Sequence, residues 1–243
     1  MGRQGMRISL QQGIGRFFRE CWSGLADLFY PSLCLVCGKC LVRGEKYLCS
    51  HCLADFPFAD ESYSASDQVL EVFDHVSRPQ CLYALFYYNK YSPYRKLIYA
   101  VKYLSYRKLG RYLGRLLGER IKGKCQADCI VPVPLHKKRE RKRGFNQAHE
   151  IACGVSEVLG IEILDGVVVR IKNNVSQAGK NAVERQQNVE DIFKLRDVQK
   201  IAGRHVLLLD DVITTGATLK SCLQVLAEAG NVTFSLGCLG KTL

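Results

Sequence analysis

Two adjacent carboxylates, Asp210 and Asp211, run directly into Val212-Ile213-Thr214-Thr215-Gly216-Ala217-Thr218. These residue types in this order suit a sugar phosphate. Neighbouring carboxylates accept hydrogen bonds from vicinal hydroxyls. Backbone N–H groups at a helix N-terminus, with Thr hydroxyls beside them, make a phosphate cradle. Gly216 and Ala217 let the phosphate approach the backbone closely. The ligand implied is a ribose 5-phosphate, acids on the 2′ and 3′ hydroxyls and Thr214 to Thr218 on the phosphate. A lone acidic pair would read as a solvated turn at a strand end; the Thr-Gly run behind it weighs against that. Two elements must position the stretch. Val206-Leu207-Leu208-Leu209 reads as a buried parallel strand. Residues 219–229, apolar at Leu223, Leu226 and Ala227, read as a helix stopped by Gly230.

A second cluster could hold a metal. Cys34-x-x-Cys37 and Cys49-x-x-Cys52 are separated by eleven residues. Two such knuckles can place four thiolates tetrahedrally around Zn²⁺. Gly38 and Gly44 suit the knuckle and the hairpin between. Cys40 and His51 stand near as spare ligands, but the two outer pairs give the simpler geometry. The alternative is reduced cysteines in a loop. A redox CxxC would need a thioredoxin-like βαβ context, which is absent, and a secreted disulfide framework would be short with a signal peptide. A segment this small needs its metal to fold; whether it also touches DNA or a protein stays open.

The chain carries a net charge of +12 over 243 residues, which favours acidic ligands. The charge is concentrated. Residues 90–124 hold eleven Lys or Arg and one acid, with Tyr91, Tyr94, Tyr99, Tyr103, Tyr106 and Tyr112 among them. Residues 93–104 and 107–121 read as two amphipathic helices. Cations track a phosphate backbone and aromatics stack on bases, so the stretch suits single-stranded DNA, with Arg107, Lys108, Arg111 and Arg115 as contacts. Solvated helix faces with half-buried tyrosines are the equal alternative. No apolar run approaches a membrane span, and the basic N-terminus lacks a signal-peptide core, so a cytoplasmic protein is expected. Residues 8–29 have near-helical apolar spacing and would pack on the following module or dock on a membrane or partner.

A further strand is expected at residues 128–134 (D-C-I-V-P-V-P), before Leu135-His136-Lys137-Lys138-Arg139-Glu140-Arg141-Lys142-Arg143 and a helix at 148–159. A basic run between a parallel strand and a helix is where a phosphate loop would sit. The D-D-V-x-T-T-G-A-T stretch closely resembles the 5-phosphoribosyl-1-pyrophosphate (PRPP) loop of the type I phosphoribosyltransferases. With V-P-V-P-L-H, R-x-x-x-R-G-F-N-Q-A and the two CxxC pairs in the same order, the chain from about residue 30 onward resembles the ComF family. These are competence-associated, phosphoribosyltransferase-like proteins. The resemblance implies that Asp210 and Asp211 bind the ribose and that Thr214, Thr215, Gly216, Ala217 and Thr218 bind the 5-phosphate. It implies a pyrophosphate loop at Pro134, Leu135, His136 and Lys137, with Arg139 and Arg143 on phosphate. It implies a mobile loop with Arg170, Gln177, Arg185 and Asn188, Mg²⁺ on the ligand's pyrophosphate and ribose oxygens, and a role in DNA uptake, with other DNA-uptake proteins as possible partners.

The organisation expected is therefore an N-terminal segment (1–30), a zinc ribbon (31–56), a linker (57–80) and a phosphoribosyltransferase-like domain (81–243). That domain is α/β, a mostly parallel sheet flanked by helices, with strands at about 81–88, 129–133, 163–169, 206–210 and 232–239. Transfer of ribose 5-phosphate to an acceptor, and DNA binding without turnover, are the two activities such a chain would support.

Overall fold

The computed structural model describes residues 31–59, 73, 79–104, 106–172 and 192–242. The N-terminal amphipathic segment and the loop residues Gln177, Arg185 and Asn188 lie outside them. The chain divides into two units, Met1–Phe56 and Pro57–Leu243.

In the first unit the described residues form two knuckles and one helical turn. Gly38, at φ 76°, closes the first knuckle by donating to the Cys34 carbonyl at 2.9 Å. The Glu45 carboxylate accepts from Val42 N (2.9 Å) and Ser50 N (2.6 Å), tying the hairpin to helix α1 (Ser50–Ala54). Cys49 is the N-cap of α1, its sulfur accepting from Cys52 N.

The second unit contains β1 (Leu82–Tyr88), α2 (Arg95–Tyr103), α3 (Arg107–Ile121), β2 (Cys129–Pro132), α4 (Lys137–Arg143) and α5 (Gln147–Leu159). After these come β3 (Glu162–Ile163), β4 (Val168–Arg170), β5 (Phe193–Leu195), β6 (His205–Ile213), α6 (Ala217–Ala227) and β7 (Thr233–Thr242). Five strands form one sheet in the order β1-β7-β6-β2-β3, with every pairing parallel. The central strand β6 buries Val206, Leu207, Leu208 and Leu209 completely, as a strand covered on both faces must.

Two features of this sheet create a crevice. The chain leaves β2 through α5 toward β3, and leaves β6 through α6 in the opposite direction toward β7. The gap between β2 and β6 is thus the point where the strand order reverses, and ligands in open parallel sheets bind outside the carboxyl ends there. The two strands also part company. Val133 N donates to Leu209 O at 2.8 Å, and then Pro134, which has no N–H, ends the ladder. β6 runs on, paired only with β7 through Asp210–Cys238, Val212–Gly240 and Ile213–Lys241. The acidic pair therefore lies within β6, three and two residues before the strand stops at Ile213.

Helices α3 and α5 pack closely on one face. Gly110, Gly114 and Gly118 recur every fourth residue along α3, and Gly154 faces them from α5. A Cβ on Gly114 would collide with the Ile151 carbonyl oxygen, and one on Gly154 with the Arg111 carbonyl oxygen.

Two expectations need correcting. The strand at about 163–169 is two strands: Gly166, at φ 73°, turns the chain out of the main sheet, leaving β3 short and pairing β4 antiparallel with β5. The basic run 137–143 is a helix, α4, capped by the His136 ring and stopped by Gly144 at φ 81°. Only the residues before it are loop.

Candidate functional site

The crevice between β2 and β6 holds a cavity of about 220 Å³. Asp210 and Asp211 from β6, Thr214 and Thr218 from the turn into α6, and Pro134 and Leu135 after β2 line it, with Arg139 and Arg143 of α4 and Arg170 of β4. These expected residues, far apart in sequence, share one wall. Thr215, Gly216 and Ala217 complete the same turn. Gly216 is the N-cap of α6 at φ 72°, with no side chain capping the helix. The free N–H groups of that first turn are left for an anion. A Cβ on Gly216 would stand 3.1 Å from the ring of the fully buried Phe73, so Phe73 also fixes the turn from behind. His136 and Lys137 instead face a neighbouring cavity of about 670 Å³, which shares Pro134, Leu135, Asn146 and Arg170 with the first.

Three residues of the site were not anticipated. Lys102 of α2 reaches Asp211, Nζ to Oδ1 3.1 Å. Asn146 caps α5 and donates from Nδ2 to the Val133 carbonyl at 3.1 Å, fixing the loop after β2. Gln147, 1 % exposed, accepts from Arg143 at 2.9 Å through Oε1. The sequence did signal this last pair, since Arg143 and Gln147 stand four residues apart within the R-x-x-x-R-G-F-N-Q-A motif.

The electrostatics are uneven. Burial, then the charge of Asp211, pushes the Asp210 carboxyl up to about 7; the Asp211 N–H, Lys102 and Arg170 oppose that rise. The Lys102 ammonium, despite burial, is held more basic by Asp211 and Asp210. Burial, then Arg139, lowers the Arg170 guanidinium. Among the described residues, Gln147 Nε2 and Arg170 Nε are buried donors without a hydrogen-bond partner, and both residues line this cavity. Orphaned buried donors are uncommon and costly. A cavity with cations, two unsatisfied donors, an uncapped helix N-terminus and two carboxylates can take a ligand with both anionic oxygens and hydroxyls.

In the first unit, the sulfurs of Cys34, Cys37, Cys49 and Cys52 lie within 4.8 Å of one another, an arrangement that could hold a metal ion. Backbone N–H groups donate to them, Cys49 N to Cys34 Sγ and Cys52 N to Cys49 Sγ at 3.4 Å each. Burial opposes it, but the N–H groups of Cys37, Cys49 and Val36 bring the Cys34 thiol down to about 6. Thiolate sulfurs and N–H···S bonds fit Zn²⁺. Cys40 is exposed and His51 pairs with Asp55 at 3.1 Å, so neither joins the tetrad.

Arg107, Arg111 and Arg115 of α3 lie along α5, pairing with Glu150 (3.3 Å) and Glu157 (3.1 and 2.9 Å); Lys108 is exposed on the same helix. Tyr91, Tyr99, Tyr103 and Tyr106 are all exposed. Tyr99 and Tyr103 stand 5.0 Å apart, and the Arg143 guanidinium lies 5.5 Å from the Tyr103 ring centre. No helix among the described residues is long and apolar enough to cross a membrane.

The Phosphoribosyl transferase domain family matches residues 143–239. That stretch includes β6 and the turn after it, and the chain, with its mostly parallel sheet, has a phosphoribosyltransferase-like fold. Its relatives narrow the class. "DNA utilization protein YhgH" of Escherichia coli K12 is 28% identical over 229 residues, 89% of this chain and all of that protein. "Competence protein F" of Haemophilus influenzae is 38% identical over 42% of this chain and 45% of that one. "Competence protein ComFC" of Bacillus subtilis is 39% identical over 42% of this chain and 39% of that one. These similarities agree with the resemblance to the ComF family carried by the motifs.

Proposed function

We propose that the cavity between β2 and β6 binds PRPP. Asp210 and Asp211 take the ribose hydroxyls, Thr214 to Thr218 the 5-phosphate, and Arg139, Arg143 and Arg170 the pyrophosphate. One observation carries this reading: the two partnerless buried donors, Gln147 Nε2 and Arg170 Nε, belong to residues lining the same 220 Å³ cavity as the acids and the threonines. Mg²⁺ would come with the ligand, on its pyrophosphate and ribose oxygens, and offset their charge. In a transfer reaction the three arginines would stabilise the departing pyrophosphate. Zn²⁺ on the four cysteines is assigned a structural role.

The relatives' names support a place in DNA uptake. The exposed tyrosines of residues 90–106, interleaved with Lys90, Arg95 and Lys96, favour single-stranded DNA as the second ligand of the same protein. Calorimetry with PRPP and Mg²⁺, then with a single-stranded oligonucleotide at several salt concentrations, tests both. Saturable PRPP binding that is lost in Thr214→Val and Asp211→Asn supports the first reading. No heat at millimolar PRPP overturns it. DNA affinity should fall steeply with salt as counterions are released, with the slope flattened when Arg107, Lys108, Arg111 and Arg115 are exchanged for Ala. Absence of DNA binding at low salt removes the second.

A further inference from the structure

Outside the crevice, one helix face carries a second chemical constellation. His149 and Cys153 stand one turn apart on α5, with Cys153 Sγ 3.4 Å from His149 Nε2. The other ring nitrogen, His149 Nδ1, lies 2.9 Å from Asp165 Oδ1, on the turn between β3 and β4. The order is thiol, imidazole, carboxylate. A carboxylate can only accept, so Asp165 fixes the ring proton on Nδ1 and turns the Nε2 lone pair to the sulfur. Cys153 is part-exposed, unlike the sealed Cys129, Cys222 and Cys238. The Arg111 guanidinium from α3 lies beside the same sulfur. The other charges around the group are Arg115 from α3 and Glu150 and Glu157 from α5; Arg111 and Arg115 both pair with Glu157, and Glu150 is taken by Arg107. His149 and Asp165 also form part of the wall of the 670 Å³ cavity, and Cys153 beside them is itself part-exposed.

We propose that Cys153, His149 and Asp165 act as nucleophile, base and orienting acid, making Cys153 a site of covalent modification by a small-molecule disulfide. The relay needs neither PRPP nor the metal tetrad. In the step, the thiol proton passes to His149 Nε2 and the sulfur attacks one sulfur of the disulfide. A Cys153–S bond forms and the incoming S–S bond breaks. The released thiolate takes up the proton from His149. The disulfide is itself the oxidant, so no further reactant is required. Adjacent bases activate thiols this way, and a cationic, partly open surrounding is where reactive cysteines occur. The adduct would sit beside the loop between β3 and β4, one side chain from the cavity that His136 and Lys137 face.

The test is peptide-resolved labelling of the folded, zinc-loaded full chain with iodoacetamide, and mass detection of the adduct formed with oxidised glutathione. Cys81 and Cys125, also part-exposed and outside the tetrad, serve as internal references. Cys153 should label at least about tenfold faster than either, a threshold below the roughly 10²-fold lower end of general-base catalysis. His149→Gln should bring it to the reference rate, and Asp165→Asn, which keeps the shape but not the carboxylate, should slow it in part. The glutathione adduct should form at Cys153 and vanish in Cys153→Ser. Labelling of wild-type Cys153 no faster than the references overturns the proposal without any variant. So does an unchanged rate in both His149→Gln and Asp165→Asn, or no adduct at Cys153.

Discussion

Replacing Asp210 by Asn should make the ligand-free protein more stable. The reason lies in burial. The Asp210 carboxyl is pushed from an ordinary 3.8 up to about 7, burial first and Asp211 second. An acid whose pKa is raised on folding holds a proton in the folded state that it has lost in the unfolded one. Stability from that proton is complete below about pH 4 and is lost as pH rises to about 7. The shift of about three units, at about 1.4 kcal/mol per unit, is a cost on the order of 4 kcal/mol above pH 7. Asn keeps the shape and the oxygen that accepts from Asp211 N at 2.8 Å, but it never ionises. The stability difference between Asp210→Asn and wild type should therefore be near zero at pH 4. It should climb by about 1.4 kcal/mol per pH unit and level off above pH 7. Guanidinium unfolding of the second unit, followed by circular dichroism at half-unit steps from pH 4 to 8.5 with zinc constant, measures it. The same variant should lose PRPP affinity, the usual trade of function against stability. A flat difference across pH, or an Asn variant less stable than wild type at pH 8, would refute the reasoning.

Further outcomes can be checked alongside. The purified chain should carry about one Zn²⁺, and Cys34→Ser or Cys52→Ser should lower zinc content and soluble yield; full occupancy after all four cysteines of the tetrad are replaced removes the assignment. Gly114→Val should destabilise the fold by about 3 kcal/mol or more, because the Ile151 carbonyl leaves no room for a side chain and the α3–α5 contact must open, whereas Gly123→Ala, with open space around its Cβ, should cost only the roughly 1–2 kcal/mol of a left-handed backbone at φ 77°; equal melting temperatures for the two would contradict the packing. Lys102→Met should weaken PRPP binding on the order of tenfold and Lys102→Arg should restore part of it, read by calorimetry, since the ammonium pins the Asp211 carboxylate at 3.1 Å and opposes the rise of the Asp210 carboxyl.

The acidic pair and its threonine turn were legible in the sequence because their chemistry is local. Strand, acids, turn and helix are contiguous, so no long-range contact is needed to see what they offer. The same holds for the two CxxC pairs, which the structure brings within 4.8 Å. Lys102 was legible only as one cation among eleven, because α2 must fold against the sheet before its last turn meets Asp211. Gln147 stood in the R-x-x-x-R-G-F-N-Q-A motif, just before the helix expected at 148–159, with no role assigned to it. Its burial follows from the glycine seam at Gly110, Gly114 and Gly118, which draws α5 inward. That four-residue spacing was visible, but read alone it marks a helix with weak propensity as readily as a packing face. The antiparallel pair β4–β5 was not visible, since β5 has three residues and its partner is set by tertiary contact alone.

These misses share a direction. What the sequence left without a role is part of the cavity lining: Lys102, Asn146 and Gln147, each brought in by a helix end. The whole lining explains why the cavity is unsettled without a ligand. Gln147 and Arg170 each bury a donor with nothing to receive it among the described residues, and Asp210 buries an acid beside another. Each of these is a cost to the folded chain, on the order of 1–3 kcal/mol for an unmet buried donor. The groups have opposite needs. The donors need acceptor oxygens, and the acids need hydroxyl protons. A simple anion would satisfy the first and repel the second; a neutral sugar would do the reverse. A phosphorylated sugar meets both in one molecule, and it stabilises the fold in proportion to the groups it satisfies. Inorganic phosphate and pyrophosphate should accordingly raise the melting temperature less than PRPP does at equal occupancy, and free ribose should leave it unchanged.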